Sequence, residues 1–314
     1  MTISAQIIAD SISPTGKRLT TLQLRYPRFI HAEFMTHRAF SRNASSSRAI
    51  PVARMIADIR ADTAMPKYWG ANQKGMQAGE ELDAMITGLP VLVTKDKKQL
   101  YGLGEVASLY PDIPNMGGFG EGHDVDKEEA WCQAREFAIA VAQAYDRAGY
   151  HKQIVNRVLE PFMHINVLVT ATEWDNFFAL RDHPDAEPHI QELARTMKAA
   201  MFENPPALLE QNEWHLPYVR PDEYSRAGAI KVSVARCARV SYLTHDGRET
   251  TFDEDLQLYK RLLSTPLHAS PMEHQAEYDD RTQGWWSNPD LHGNLVGWKQ
   301  YRKMLEQELA SAGV

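Results

Sequence analysis

Between residues 34 and 57 the chain carries four arginines, Arg38, Arg42, Arg48 and Arg54, together with His37 and no Asp or Glu. The formal net charge of the whole is −7, so this stretch is a local inversion of sign. Ser41, Ser45, Ser46 and Ser47 add short hydroxyl donors among the guanidinium groups. Guanidinium forks give paired, charge-assisted hydrogen bonds to phosphate oxygens, and small hydroxyls fill the remaining lone pairs. The stretch therefore suits a phosphate group, and it suits a solvated basic loop equally well. No GxxxxGK[ST] is present, which excludes a P-loop cradle for a nucleoside triphosphate.

Other combinations point elsewhere or nowhere. His183/His189 and His268/His274 are each six positions apart, a spacing that does not put two imidazoles on one helical face as HExxH does, so no metal is expected. There is no GxSxG elbow. Cys132 and Cys237 lie far apart without a CxxC, which excludes a disulfide framework and a cysteine zinc site. Cys237 reads as a core thiol rather than a nucleophile, and Cys132, beside a helical apolar stripe, reads as a buried structural thiol. Arg157 and Arg181 sit among apolar residues (VNRVL, FFALR), where an arginine needs an anionic partner or must reach the surface. The glycine run NMGGFGEGHD is superficially similar to a phosphate loop, but it lacks GxGxxG in register and reads as a flexible loop.

The elements that would position these residues follow from periodicity. ISAQIIAD and LTTLQLRY read as strands joined by the SPTGK turn. RFIHAEFMTHR changes to helical spacing and delivers the basic serine stretch, and Pro51 opens a helix over PVARMIADIRAD. Residues 63–127 read as irregular, with a helical fragment near AGEELDAMI and a KDKK turn. Helices are expected over 127–148, over HKQIVNRVL up to Pro161, from about Asn166 to Leu180, and over HIQELARTMKAAM. The Pro-rich segment 203–227 reads as a linker or surface arm. AIKVSVARCARVSYLT reads as a strand, followed by a DGRE turn, the helix DEDLQLYKRLLS, the SPMEH turn, a loop over 281–300 and a closing helix GWKQYRKMLEQEL. Strands, helices and strands again predict an α+β fold.

THRAFSRNASSSR resembles the signature of the flavin-dependent thymidylate synthases (the ThyX family), RHRxxSxNxxSxR. It matches at His37, Arg38, Ser41, Asn43, Ser46 and Arg48, and departs at Thr36, where the family has arginine. NRVLEP with VTATEWDNFFALR, and ARVSY with HASPMEH, are similar to two further blocks of that family. The likeness covers about 17–50, 150–202 and 228–276. In the family the ARVSY-like and HASPMEH-like blocks precede the signature. Here they follow it, so the sequence resembles a circularly permuted member, a change tolerated where old termini meet at the surface.

The resemblance implies a ThyX-like antiparallel sheet flanked by helices in one catalytic domain. Its parts would be a signature strand, helix and loop (1–60), a large irregular insertion (61–127), a helical part (128–202), the relocated block (228–276), and a C-terminal loop and helix (277–314). It implies methylation of dUMP at C5, with methylene tetrahydrofolate as carbon donor, NADPH as reductant and FAD as cofactor. The site residues it implies are Glu33, Ser46, Ser47, Arg48, Arg157 and Arg181 for dUMP. For FAD they are Thr36, His37, Arg38, Asn43, Thr172, Asn176, Ser270 and Glu273. Arg181 would act as the catalytic cation that favours the N3-deprotonated uracil. Thr170 and Thr172 stand where the family has polar and basic flavin contacts. Dependence on Thr36 leaves two other outcomes open, dUMP hydroxymethylation and flavin or nucleotide binding without turnover. The family also implies a homotetramer whose sites draw on several chains.

Composition agrees with a soluble globular protein. Hydrophobic residues are 43% and charged residues 24%, which excludes collagen-like and wholly disordered classes, and the acidic balance argues against a general nucleic-acid binder. No long apolar window and no signal-peptide layout is evident, so no membrane association and a cytoplasmic location are expected.

Overall fold

A computed structural model describes residues 2–75, 79–87, 90–94, 100–101, 116–121, 124–240, 248–264 and 266–311. The chain opens with β1 (Ser4–Ile12) and β2 (Arg18–Pro27), an antiparallel hairpin. Its turn is closed by the Ser13 hydroxyl, which accepts from the Lys17 amide at 3.1 Å, and by Gly16 at φ +81°. A 3₁₀ turn (Arg28–Ile30) and a single turn of helix, α1 (His31–Phe34), lead to β3 (Ser41–Ala44), which is the middle of the basic serine stretch. α2 (Val52–Ala61) follows Pro51 and buries Val52, Met55, Ile56 and Ile59, the helical spacing read from sequence.

Three strands, β4 (Pro90–Thr94), β5 (Leu100–Tyr101) and β6 (Met116–Glu121), form a separate antiparallel sheet. The glycine run expected as a loop is thus strand over 116–121, because β4 supplies its ladder bonds. The KDKK turn lies outside the described residues. Over 79–87 there is no helix near AGEELDAMI, only the bridges Gly70 to Glu81 and Ile86 to Val125. A helix that short, with no packed face, does not repay its nucleation.

α3 (Lys127–Arg147) is capped by Asp126, which accepts from the Glu129 amide at 2.6 Å, and gives way to Gly149 at φ +85°. α4 (Lys152–Val155) continues as a 3₁₀ turn (Asn156–Phe162) up to β7 (His164–Ala171). The helix expected over 166–180 is therefore strand in its first half. β7 runs between β2 and β3, and it is buried on both faces, so its apolar run shows no alternation to mark it as strand. The helical half is α5 (Asp175–Arg181), followed by α6 (Pro188–Glu203).

Residues 203–227 are no surface arm. They form β8 (Ala207–Leu208), β9 (Trp214–His215) and a 3₁₀ turn at Pro221–Glu223, and they bury Leu209, His215, Leu216, Tyr218 and Glu223. The run expected as a strand is α7 (Ala229–Ala238), entered through Gly228 at φ +100°. Val232, Val234, Ala235, Arg236 and Cys237 are all buried, since the sheet covers one side of α7 and α8 (Phe252–Leu262) with Met272 and Leu305 the other. Burial on all sides erases the period that separates helix from strand. Ser241 and Tyr242 of ARVSY, and Asp246 and Gly247 of the DGRE turn, lie outside the described residues. The SPMEH turn is a 3₁₀ turn (Ser270–Glu273), followed by β10 (Ala276–Tyr278), β11 (Arg281–Thr282), β12 (Trp285–Trp286), β13 (Trp298–Gln300) and α9 (Tyr301–Ser311).

The architecture is α+β. The five-stranded sheet has the order β3-β7-β2-β1-β8, antiparallel except for β8 against β1. One face buries Leu22, Leu24, Val167 and Val169 against α1, α5 and α6. The opposite face meets Tyr218 and Cys237. The permuted reading expects the chain leaving His274 to join β2. Instead β10 pairs with β9 and β13, because β1 and β7 already occupy both edges of β2. Leu19 of β2 nevertheless packs with Ala276 and Trp298, so the two sheets share a core.

α8 shows how local chemistry sets an end. Thr251 accepts from the Glu254 amide at 3.3 Å while the Glu254 carboxylate accepts from the Thr251 amide at 2.8 Å. Thr251→Ala is expected to cost about 1 kcal/mol, read as a lower urea midpoint at unchanged slope.

Candidate functional site

β3 is the axis of the site. It is an edge strand beside β7, with Ser41 and Asn43 buried, and the sequence-derived residues group around it in three clusters. The first lies before β3. Arg181, at the end of α5, donates from Nε to His37 Nε2 at 2.9 Å and from Nη2 to Thr36 Oγ1 at 3.2 Å, and its Nη1 lies 4.0 Å from the Glu33 carboxylate. A guanidinium thus stands beside residue 36, where the resembled signature has its own arginine. Burial, with the fields of Arg181 and Arg42, holds the His37 imidazole below its usual range. His37 is therefore neutral near pH 7, and because Nε2 accepts, its proton sits on Nδ1 as a donor. Phe177 (4.9 Å, edge-on) and Phe40 (5.9 Å, stacked) fix the ring plane. Burial and the nearby Glu187 raise the Glu33 carboxyl, against Arg181 and His189.

The second cluster lies after β3. Arg48 and Arg157 line one open depression of about 490 Å³ with Tyr145, Gln153, Ile154 and Val158, and no acid is among these residues. Arg48 is exposed and the Arg157 side chain is 58% exposed, so both cations face solvent. Asn156 Nδ2 donates to the carbonyls of Ser47 (2.7 Å) and Ile50 (2.9 Å), and Lys152 Nζ donates to that of Ala49 (2.8 Å), which clamps the loop. Glu160 accepts from Ser47 Oγ at 2.9 Å and pairs with Arg157 at 3.3 Å and Arg28 at 3.2 Å. Ser47 is thereby buried and committed to Glu160, while Ser46 is half-buried in the turn closed by the Ala49 amide. Glu160 and Asn156 were not singled out from sequence, although both flank Arg157 in NRVLEP.

The third cluster joins the Ser270–Glu273 turn to the side of β3. Asn43 Nδ2 donates to the Cys237 carbonyl at 3.2 Å, and Ser41 Oγ donates to Asn294 Oδ1 at 3.1 Å. Glu273 is ion-paired with Arg302 of α9, a partner with no sequence signal, and Ser270 is exposed. Arg42 donates to the carbonyls of Met35 (3.0 Å) and Phe34 (3.4 Å), and so ties β3 to the end of α1.

The other sequence-derived residues are not bonded into these groups. Arg38 and Asn176 are exposed, and Thr172 Oγ1 is buried without a hydrogen-bond partner. Burial pushes the Cys237 thiol well above its usual range, so it is no nucleophile. Cys132, expected to be buried, is only half-buried. Among the described residues no group of three or more His, Cys, Asp and Glu could hold a metal, and no helix is long and apolar enough to cross a membrane.

No family model and no curated protein matches the sequence. Similar solved structures include two of the UMP/dUMP methylase PolB from Streptomyces cacaoi. The one bound with 5-Br dUMP is 14% identical at a TM-score of 0.40, over 63% of this chain and 89% of that chain. The one bound with 5-Br UMP is 15% identical at 0.39, over 63% and 88%. The likeness is one of general shape, and no chemistry follows from it.

Proposed function

We propose that the chain belongs with the ThyX-like enzymes, in permuted order, and converts dUMP to dTMP at C5, with methylene tetrahydrofolate as carbon donor, NADPH as reductant and FAD as hydride carrier. The observation that carries the reading is the pairing of Arg48, from the signature, with Arg157, from the NRVLEP block, in one solvent-facing depression without an acid among its lining residues. Two guanidinium groups held that way match a phosphate monoester. Arg181 supplies the second element. A cation beside a uracil nitrogen lowers that nitrogen's pKa and raises electron density at C5. The neutral His37 offers its Nδ1–H to an acceptor, and Glu33, its carboxyl raised, holds or releases a proton nearer neutrality than an ordinary glutamate. No enzyme nucleophile is needed, which agrees with a buried Cys237.

The residues assigned to the flavin divide in two. Arg38, Asn176 and Ser270 are exposed and free to meet a ligand, with Arg38 a counter-charge for a diphosphate. Asn43 and Glu273 instead hold the Cys237 carbonyl and Arg302. A flavin therefore fits this chain through the first three residues and His37, and when bound it supplies two-electron transfer. The homotetramer implied by the resemblance, with sites that draw on several copies, is part of the same proposal.

Incubation with dUMP, methylene tetrahydrofolate, NADPH and FAD is expected to yield a nucleotide in which a methyl group replaces the C5 hydrogen, read as a mass gain of one CH2 unit. A gain of a hydroxymethyl group assigns the related C5 modification, for which Thr36 is the motivating departure. Unchanged dUMP, from a protein that takes up no FAD, contradicts both.

A further inference from the structure

Behind the five-stranded sheet five side chains form one unbranched buried chain. Ser11 Oγ meets His215 Nδ1 at 2.8 Å, and His215 Nε2 meets Thr21 Oγ1 at 2.7 Å. Thr21 Oγ1 meets Thr170 Oγ1 at 2.7 Å, and Thr170 Oγ1 meets His274 Nδ1 at 2.8 Å. None of the five residues is more than 4% exposed. Burial holds both imidazoles down at about 3, so both are neutral near pH 7. The far end, His274 Nε2, is buried and has no hydrogen-bond partner.

The donors can be counted. A neutral imidazole has one N–H and each hydroxyl has one O–H. If His215 carries its proton on Nε2 it donates to Thr21, and the arrangement that pairs both threonine O–H groups then has Thr21 donate to Thr170 and Thr170 to His274 Nδ1, because a threonine that accepted from both sides would leave its own O–H unpaired. The proton of His274 is then on Nε2. If His215 carries its proton on Nδ1, every bond reverses and His274 also holds its proton on Nδ1. With both threonine O–H groups paired the two rings therefore share a tautomer although no hydrogen bond joins them directly. The first direction gives the Ser11 hydroxyl an acceptor and leaves one unpaired group, His274 Nε2–H. The second leaves the Ser11 O–H and the His274 Nε2 lone pair both unpaired, which costs more in a buried layer.

We propose that Ser11, His215, Thr21 and Thr170 are positioning residues that lock His274 into its Nε2–H form and so fix the ring that ends the Ser270–Glu273 turn beside β3. That this turn meets a flavin, through the exposed Ser270, rests on the proposed function, whereas the tautomer match does not. Thr170 and Thr172 stand where the resembled family has flavin contacts, and here Thr170 is turned to His274.

Two-bond ¹⁵N–¹H correlation spectra of the full chain at neutral pH are expected to show His215 and His274 both as Nε2–H. Thr170→Val is expected to turn His215, which Thr170 does not contact, from one tautomer into a mixture, and Thr170→Ser to restore the single form. A merely structural role for Thr170 would not move that signal. Opposite tautomers in the unchanged protein, or an unaltered His215 in Thr170→Val, overturns the proposal. If Thr170→Val does not fold, the match in the unchanged protein and in Thr170→Ser decides alone. FAD titration of the same proteins is expected to show weaker uptake by Thr170→Val and recovery in Thr170→Ser. No uptake by any of them retires the flavin reading and leaves the tautomer result to stand by itself.

Discussion

Arg48→Ala is expected to weaken dUMP binding by roughly 30- to 150-fold, the equivalent of about 2–3 kcal/mol for a lost charge-assisted contact, and to leave turnover at saturating dUMP nearly unchanged. A phosphate clamp acts equally on bound substrate and transition state, so its loss is read in KM. Arg157→Ala should behave alike, and because both cations line one depression the double variant should lose less than the sum. Arg181→Ala has a different signature. Its guanidinium is held by His37 and Thr36 rather than in that depression, so its loss is expected to lower kcat by about 10²-fold, as for other single electrostatic groups, with a smaller change in KM. Titration calorimetry with dUMP and steady-state kinetics separate the two. An Arg181→Ala protein with full turnover at saturation removes Arg181 from the chemistry, and an Arg48→Ala protein with unchanged dUMP affinity removes the phosphate site.

The elements legible in the sequence are those whose side-chain types keep a period or carry their own end signals. β2 alternates, α2 buries one stripe, and α8 carries its own capping box, so each could be read locally. β7 and α7 were misread for one shared reason. Both lie between two layers, and a segment covered on every side has no amphipathic period. The Pro-rich stretch misled in another way, since its turn residues are real but Leu216, Tyr218 and Glu223 between them are buried by partners that are remote in sequence.

The site was legible as residue types and not as pairings. Composition marked the basic stretch, and resemblance named Arg157 and Arg181. Neither could show that Arg181 folds back onto Thr36 and His37, or that Glu160 collects Ser47, Arg157 and Arg28. Such contacts are set by the packing of α5 and of the 3₁₀ turn before β7. Arg302, which neutralises Glu273, comes from a helix without any motif.

Arg236→Met is expected to lower the unfolding free energy by about 3–5 kcal/mol, because it strips a shared cation from two buried carboxylates. Arg236 is 2% exposed. It donates from Nη1 to Glu223 Oε2 at 2.6 Å, from Nη2 to Glu223 Oε1 at 2.9 Å and from Nε to Asp255 Oδ2 at 2.8 Å, and both acids are fully buried. Methionine keeps much of the volume, so the change isolates charge from packing. Removing the exposed Arg54–Asp58 pair, by contrast, should cost under about 1 kcal/mol. The network also matters to the site, since it anchors α7, whose Cys237 carbonyl holds Asn43 on β3. The pH dependence supplies the control. The hydrogen bonds from Arg236, and after them those from Arg220, hold the Glu223 carboxyl down to about 2, against burial, which opposes them. An unfolded glutamate titrates near about 4.3, so this contribution is complete above that pH and is lost as the pH falls toward 2. In Arg236→Met the bonds from Arg220 remain and those from Arg236 are gone, so the carboxyl is held down less and loses less on acidification. The gap between the two proteins, measured by urea denaturation at pH 7 and again near pH 3, should therefore narrow. A gap of equal size at both values would mean that α7 is held by the shape of the side chain at 236 and not by its charge.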